Sequence, residues 1–164
     1  MAVIVAASNY LVQIPINDWL TWGALTYPLA FLVNDLVNRF HGAAIARKVV
    51  YVGFGTGVLF SLLSDDIGTR IAIASGTAFL VSQLLDVSIF ERLRKASWWI
   101  APSASSAIST VVDTVLFFGI AFAGTGLPWV SWATGDLGVK WAVASLSVVV
   151  YGLIARRSIM PQAQ

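Results

Sequence analysis

The chain has 164 residues, 58% of them hydrophobic and only 11% charged, with a mean hydropathy of +0.82 and a formal net charge of +2. A water-soluble domain of this length needs a polar shell that such a composition cannot furnish, so the chain reads as an integral membrane protein. It contains no Cys, which excludes a disulfide framework, a thiolate metal site and a cysteine nucleophile.

A helix that crosses the bilayer needs about 17–25 mostly apolar residues. Six runs come near that length, at about residues 1–16, 21–39, 46–64, 68–90, 101–123 and 137–155. The expectation is an all-α, six-helix transmembrane protein, with residues 1–164 forming one membrane domain. The first run, "MAVIVAASNYLVQIPI", is apolar from the start and lacks the basic stretch of a secretory signal. It reads as a short first membrane helix, tilted or partly interfacial. None of the runs alternates apolar with polar residues as barrel strands do. The connections at 91–100 and 124–136 are too short to hold a soluble catalytic domain.

Orientation follows from the basic residues. Arg39, Arg47 and Lys48 follow the second run, Arg92, Arg94 and Lys95 follow the fourth, and Arg156 and Arg157 follow the sixth. The alternate connections hold only Arg70 and Lys140, beside Asp18, Asp65, Asp66 and Asp136. Six helices with both termini in the cytoplasm satisfy this pattern. Trp19, Trp22, Trp129 and Trp132 then fall at the outer interface and Trp98 and Trp99 at the inner one, as an aromatic belt of anchors.

Ionisable groups inside a membrane run cost about 2.5–3.5 kcal/mol on insertion scales, which makes them functional candidates. Asp35, Asp86 and Asp113 qualify, and each belongs to a stripe of polar and aromatic residues three or four apart. In the second run Tyr27, Phe31, Asn34 and Asn38 share a face, with Asp35 beside Asn34. In the fourth, Phe79, Gln83, Asp86 and Phe90 align, and Ser82 precedes Asp86 by one turn. In the fifth, Ser106, Thr110, Asp113 and Phe117 align, and Ser109 precedes Asp113 by one turn. Asp113 lies deepest, near the midplane, and most needs a partner. Each acid also has a purely structural reading. Asp35 can neutralise Arg39 at i,i+4. Asp86 can pair with Arg92 or Arg94 or bond another helix, and Asp113 can bond a Ser, Asn or Gln of another helix. Of the three, Asp35 is expected to be the structural one, with Asp86 and Asp113 facing one cavity.

Other features are weaker. His41, alone at the inner interface, reads as solvated. "GFGTG" at 53–57 lacks the Lys-Ser/Thr of a phosphate loop, and close helix packing through Gly53 and Gly57 explains it better. The Ala2-x-x-x-Ala6 spacing can pack a helix in the same way. No zinc-protease motif, no G-x-S-x-G and no paired His ligands occur. An intramembrane enzyme therefore lacks a site, and the chain is expected to be neither an enzyme nor a carrier of a cofactor or metal. A purely structural subunit would not need three such stripes.

Three blocks resemble the queuosine precursor transporter family, also called vitamin-uptake-transporter-like. They are Tyr-Pro through Asn-Asp-Leu at 27–36, Gln-x-x-Asp-Val through Phe-x-Arg-Leu-Arg at 83–94, and Thr-x-x-Asp-Thr through Phe-Phe at 110–118, where Thr110 stands in a position commonly Ser or Gly. With the basic C-terminus, the similarity runs from about Asn9 to Arg157. The resemblance implies a bacterial inner-membrane importer of 7-deazaguanine bases, the cyano or aminomethyl precursors of the tRNA base queuosine. It also implies a fold like the substrate-binding subunits of energy-coupling-factor vitamin transporters. The alternative it carries is such a subunit with another small cargo, which would need separate ATPase and scaffold proteins; a facilitator or proton symporter acting without them is preferred. Expected partners are a purine-like small molecule and the lipid bilayer, with no nucleic acid.

The residues suit such a cargo. A deazaguanine offers a ring N–H and an exocyclic amine side by side, which one carboxylate can accept together. Asn34, Asn38 or Gln83 can serve the carbonyl, and Tyr27, Phe31, Phe117 or Phe118 can stack on the ring. The candidate binding residues are accordingly Asp86, Asp113, Gln83, Asn34, Asn38, Asp35, Tyr27, Phe31, Thr110 and Phe117.

Overall fold

The computed structural model describes residues 1–11, 14–17, 20–63 and 68–159, with the backbone alone at 9, 15, 17, 20, 21, 24 and 156–159. Asp18, Trp19, Asp65 and Asp66, and the side chains of Arg156 and Arg157, lie outside the described residues.

Among the described residues seven helices and one short hairpin follow in order: α1 Ala2–Leu11, β1 Pro15–Asn17, β2 Leu20–Thr21, α2 Trp22–Thr26, α3 Leu29–His41, α4 Ala43–Leu63, α5 Thr69–Leu93, α6 Ile100–Phe122 and α7 Trp129–Ile159. The architecture is helical apart from that antiparallel hairpin, which joins α1 to α2. Among the described residues four helices, α4 to α7, are long and apolar enough to cross a bilayer. For α4, α5 and α6 the observed ends fall within three residues of the expected ones.

Three expectations need correction. The first run forms a helix of only 10 residues, about 15 Å at 1.5 Å per residue and half of a bilayer core. The second run is not one helix but two, α2 and α3, separated at Tyr27–Pro28. Pro28 has no N–H to donate back into α2, so the helix restarts there, with Pro28 in the cap position of α3. The sixth run starts at Trp129 rather than 137, so Trp132, Asp136 and Lys140 belong to a helix and not to a connection. Gly135 and Gly138 mask this start in the sequence because glycine weakens helix propensity.

Consecutive helices from α3 to α7 pack side by side, and α3 returns against α5 and α7 to close the bundle. The turn from α3 to α4 passes through Gly42 at φ +83°, a left-handed conformation natural to glycine. At Gly53 the side chains of Met1 and Phe79 come so close that an added Cβ would lie 2.5 Å from Met1 Cγ. Gly57 faces Val5. The glycines therefore seat α1 on α4, as expected of close packing.

Burial is inverted relative to a soluble protein. Leu62 and Leu63 of α4 are 77% and 76% exposed, whereas Asn34, Gln83 and Asp86 are at 0%. Apolar side chains on the outside and polar ones within suit lipid as the solvent. The bundle has two ends. Arg39, Arg92, Arg94 and Lys95 mark one, here the basic end, together with the exposed His41, Arg47 and Lys48. There Phe90 and Tyr151 meet edge to face at 6.0 Å, and Trp98 lies over Gly152. At the far end Arg70 donates to the carbonyls of Ile120 and Ala123, at 2.7 and 2.6 Å, and so caps the C-terminus of α6.

Candidate functional site

Asp113 sits on the inner face of α6, opposite Ser82 of α5 and beside Lys140 of α7. Its Oδ2 accepts from Lys140 Nζ at 2.9 Å. Its Oδ1 accepts from the hydroxyls of Tyr27 at 3.2 Å and Ser82 at 3.1 Å. Lys140 also reaches Asp136, one helical turn before it, at 2.6 Å, and Thr114 at 3.3 Å. Thr114 in turn donates to Asp136 Oδ2 at 3.0 Å. All three ammonium donors therefore have acceptors, the condition under which a buried ion pair is tolerated. The Tyr27 ring adds a cation–π contact, 5.7 Å from Nζ. Two carboxylates against one ammonium leave the group one formal negative charge in excess.

This cluster forms the polar wall of a cavity of about 1230 Å³. Asp113, Asp136, Lys140 and Tyr27 line it. Phe79, Phe117, Phe118, Phe122 and Trp132 line it as an aromatic wall. Trp132 stands edge-on to Phe122 at 5.7 Å, and Tyr27 to Phe79 at 6.1 Å. The cavity reaches toward the far end through Ile16, Leu62 and Thr69. Its size exceeds the roughly 300–1,000 Å³ usual for small-molecule pockets. Of the two carboxylates on Lys140, Asp136 is the less enclosed, its side chain 18% exposed against 3% for Asp113; among the described residues its Oδ1 has no hydrogen-bond donor. Tyr27 is placed here by the helix break, since it lies between the end of α2 at Thr26 and the start of α3 at Leu29.

A second polar cluster lies between α3, α5 and α6. Asp35 accepts from Ser105 at 3.2 Å and Ser106 at 3.4 Å. Asn34 Nδ2 donates to Asp86 Oδ2 at 3.2 Å and to the Gln83 carbonyl at 3.1 Å. Asn38 donates to the Val87 carbonyl at 3.0 Å. Asp86 lies near enough to Asp35 for the two carboxyl groups to act on each other electrostatically. Six buried atoms here have no hydrogen-bond partner among the described residues: Asn34 Oδ1, Asn38 Oδ1, Gln83 Nε2 and Oε1, Asp86 Oδ1 and Ser109 Oγ. Leaving one such group unpaired costs about 1–3 kcal/mol.

Of the sequence candidates, Asp113, Tyr27 and Phe117 line the cavity. Asp35, Asp86, Gln83, Asn34 and Asn38 meet instead in the second cluster, while Phe31 and Thr110 are buried on α3 and α6. Asp86 therefore does not share Asp113's cavity wall. Among the described residues neither Asp35 nor Asp86 forms an ion pair with arginine. Arg39 donates to the Arg94 carbonyl at 3.1 Å, and Arg94 returns a bond to the Arg39 carbonyl at 2.8 Å. The partner of Asp113 is Lys140, with Ser82 and Tyr27 beside it, rather than a Ser, Asn or Gln alone. The basic-residue pattern alone places Lys140 and Asp136 with the outer connections. Their signal was present in Trp132, Asp136 and Lys140, spaced four apart and hence on one helical face. Trp132 is a cavity wall as well as an end-of-helix aromatic.

A family profile described as "Putative vitamin uptake transporter" matches residues 21–65 and 66–154. The "Probable queuosine precursor transporter" of Haemophilus influenzae is 40% identical, with 82% of this chain and 72% of that protein covered. The "Queuosine precursor transporter" of Escherichia coli is 37% identical, covering 73% and 64%. The "Probable queuosine precursor transporter" of Bacillus subtilis is 30% identical, covering 85% and 72%. No solved structure matches the chain.

Proposed function

The chain belongs to the vitamin uptake transporter family, and on that premise we propose that it imports queuosine precursors, 7-cyano- or 7-aminomethyl-7-deazaguanine, across the bacterial inner membrane for tRNA modification. The observation that carries the reading is a cavity in which carboxylates and a wall of aromatic rings meet, in a chain similar to proteins of that name. The flat base stacks against Phe117, Phe118 or Trp132, where ring faces favour a planar heterocycle. Asp136 Oδ1 accepts from the N–H edge of the base, a charge-assisted contact that a donor-rich edge can make and an anion cannot, while Oδ2 stays with Lys140 and Thr114. Lys140 holds Asp113 and Asp136 in place. The basic end faces the cytoplasm, by the bias of Lys and Arg toward that side, and the cavity then faces outward. Residues 1–164 act as one membrane unit that needs no ATPase partner.

The test is uptake of labelled 7-deazaguanine bases by the chain alone in liposomes. Uptake that saturates, and that Asp136→Asn weakens about tenfold, is expected. A chain that binds base but moves none without added ATPase and scaffold proteins would be an energy-coupling-factor subunit. A chain that binds neither base has another cargo.

A further inference from the structure

The cluster between α3, α5 and α6 is closed to solvent, yet it does not close on itself. Polar networks in a protein interior normally satisfy their own members. Here Asn34 and Asn38 each donate through Nδ2 to a backbone carbonyl of α5, which fixes the amide orientation and leaves Oδ1 unbonded. Gln83 has neither amide atom bonded, so it offers one donor and one acceptor whichever way it is turned. Asp86 Oδ1 and Ser109 Oγ complete the set. Among the described residues no lysine or arginine hydrogen-bonds to Asp35 or Asp86. The unmet groups are thus mainly acceptors beside two carboxyl groups. They complement a neutral or cationic ligand with several N–H donors and one carbonyl, and they oppose an anion.

Position narrows the occupant. Ser82, next to Gln83, donates to Asp113 on the cavity wall. Ser109 precedes Asp113 by four residues, about 6 Å along the helix. The cluster therefore begins one turn beyond the cavity, toward the basic end. Past it, Arg39 and Arg94 clasp α3 to the end of α5, and Phe90 packs on Tyr151.

We propose that this cluster is a second station for the transported base, exposed when α3 draws away from α5 and α6, and lying between the outer cavity and release at the basic end. The inference rests on the transport reading given above. Asp86 accepts the ring N–H and exocyclic amine, the Asn34 or Asn38 oxygen accepts a further N–H, and the Gln83 amide donates to the ring carbonyl. The carboxylates of the outer wall already hold Lys140, Tyr27 and Ser82, whereas these acceptors hold little. That difference gives the base a reason to move inward.

The test measures movement, using the full chain and the labelled aminomethyl base. Gln83→Leu and Asp86→Asn are expected to carry the base into liposomes at least about tenfold more slowly than the parent. Because the chain has no Cys, Thr110→Cys, beside Ser109, reports local opening by itself. A small thiol reagent is expected to label it during turnover and not in the resting protein. Unchanged uptake in both variants overturns the second station, as does a Thr110→Cys that is unlabelled during turnover. If the parent itself neither binds nor carries the base, the transport reading fails first.

Discussion

Lys140 decides the chemistry of the cavity wall. Its side chain is 7% exposed and its partner Asp113 is 3% exposed, so both charges are withdrawn from water. Such a pair adds little net stability, but removing one member leaves the other charge uncompensated. Lys140→Met would strand both Asp113 and Asp136 and is expected to destabilise the protein by about 3–5 kcal/mol, read as a lowered melting temperature in detergent. Asp136→Asn leaves the Lys140–Asp113 bond in place, so its loss of stability should be much smaller while base binding falls. Equal destabilisation by the two changes would mean that the cluster is not organised around Lys140. Asp35 differs in kind. Both of its oxygens accept from α6 serines, which makes it a tie between helices as well as a neighbour of Asp86.

Among the elements, the broken helix α2–α3 matters most. Irregular backbone at membrane depth is tolerated where it lines a cavity, and interrupted helices are a recurrent way to build transport sites. Here the break puts the Tyr27 hydroxyl on Asp113 and restarts the helix at Pro28, so that Asn34, Asp35 and Asn38 point at α5 and α6. Pro28→Ala restores an N–H able to bond the Ala24 carbonyl and favours fusion of α2 with α3. The expected result is unchanged or slightly raised thermal stability, with uptake reduced because Tyr27 is drawn from Asp113. Uptake equal to the parent's would show that the break is incidental. The last helix shows a packing demand of another kind. A Cβ at Gly152 would lie 2.8 Å from Trp98 Cη2, so the glycine lets the loop after α5 lie flat on α7.

At the scale of the whole molecule, the two ends differ in charge and the cavity reaches toward the less basic one. If the positive-inside bias sets the orientation, single cysteines in this cysteine-free chain should react asymmetrically. Leu127→Cys, in the exposed α6–α7 loop, should be labelled in intact cells by an impermeant thiol reagent. Lys95→Cys, exposed at the basic end, should be labelled only after permeabilisation. The reverse pattern would turn the cavity toward the cytoplasm and make the chain an exporter or an inward-facing binder.

Much of this was legible in the chain. Hydropathy sets which segments prefer lipid, and α4, α5 and α6 came out within three residues of expectation because their apolar runs are long and uninterrupted. The stripes on α3, α5 and α6 were legible because helical period is local: residues four apart share a face wherever the helix goes. The three blocks were enough to suggest the family. Which stripe meets which was a different matter. That Asp86 joins Asp35 while Asp113 joins Lys140 depends on how α3, α6 and α7 are placed against α5, and such placement arises from packing between segments dozens of residues apart. The sequence by itself determined a lipid-dwelling helical chain with acids turned inward. Only the tertiary structure decided that those acids form two separate clusters, one bound to a lysine at a cavity and one left with unmet acceptors, because register between helices is a property of their contacts and not of any single run.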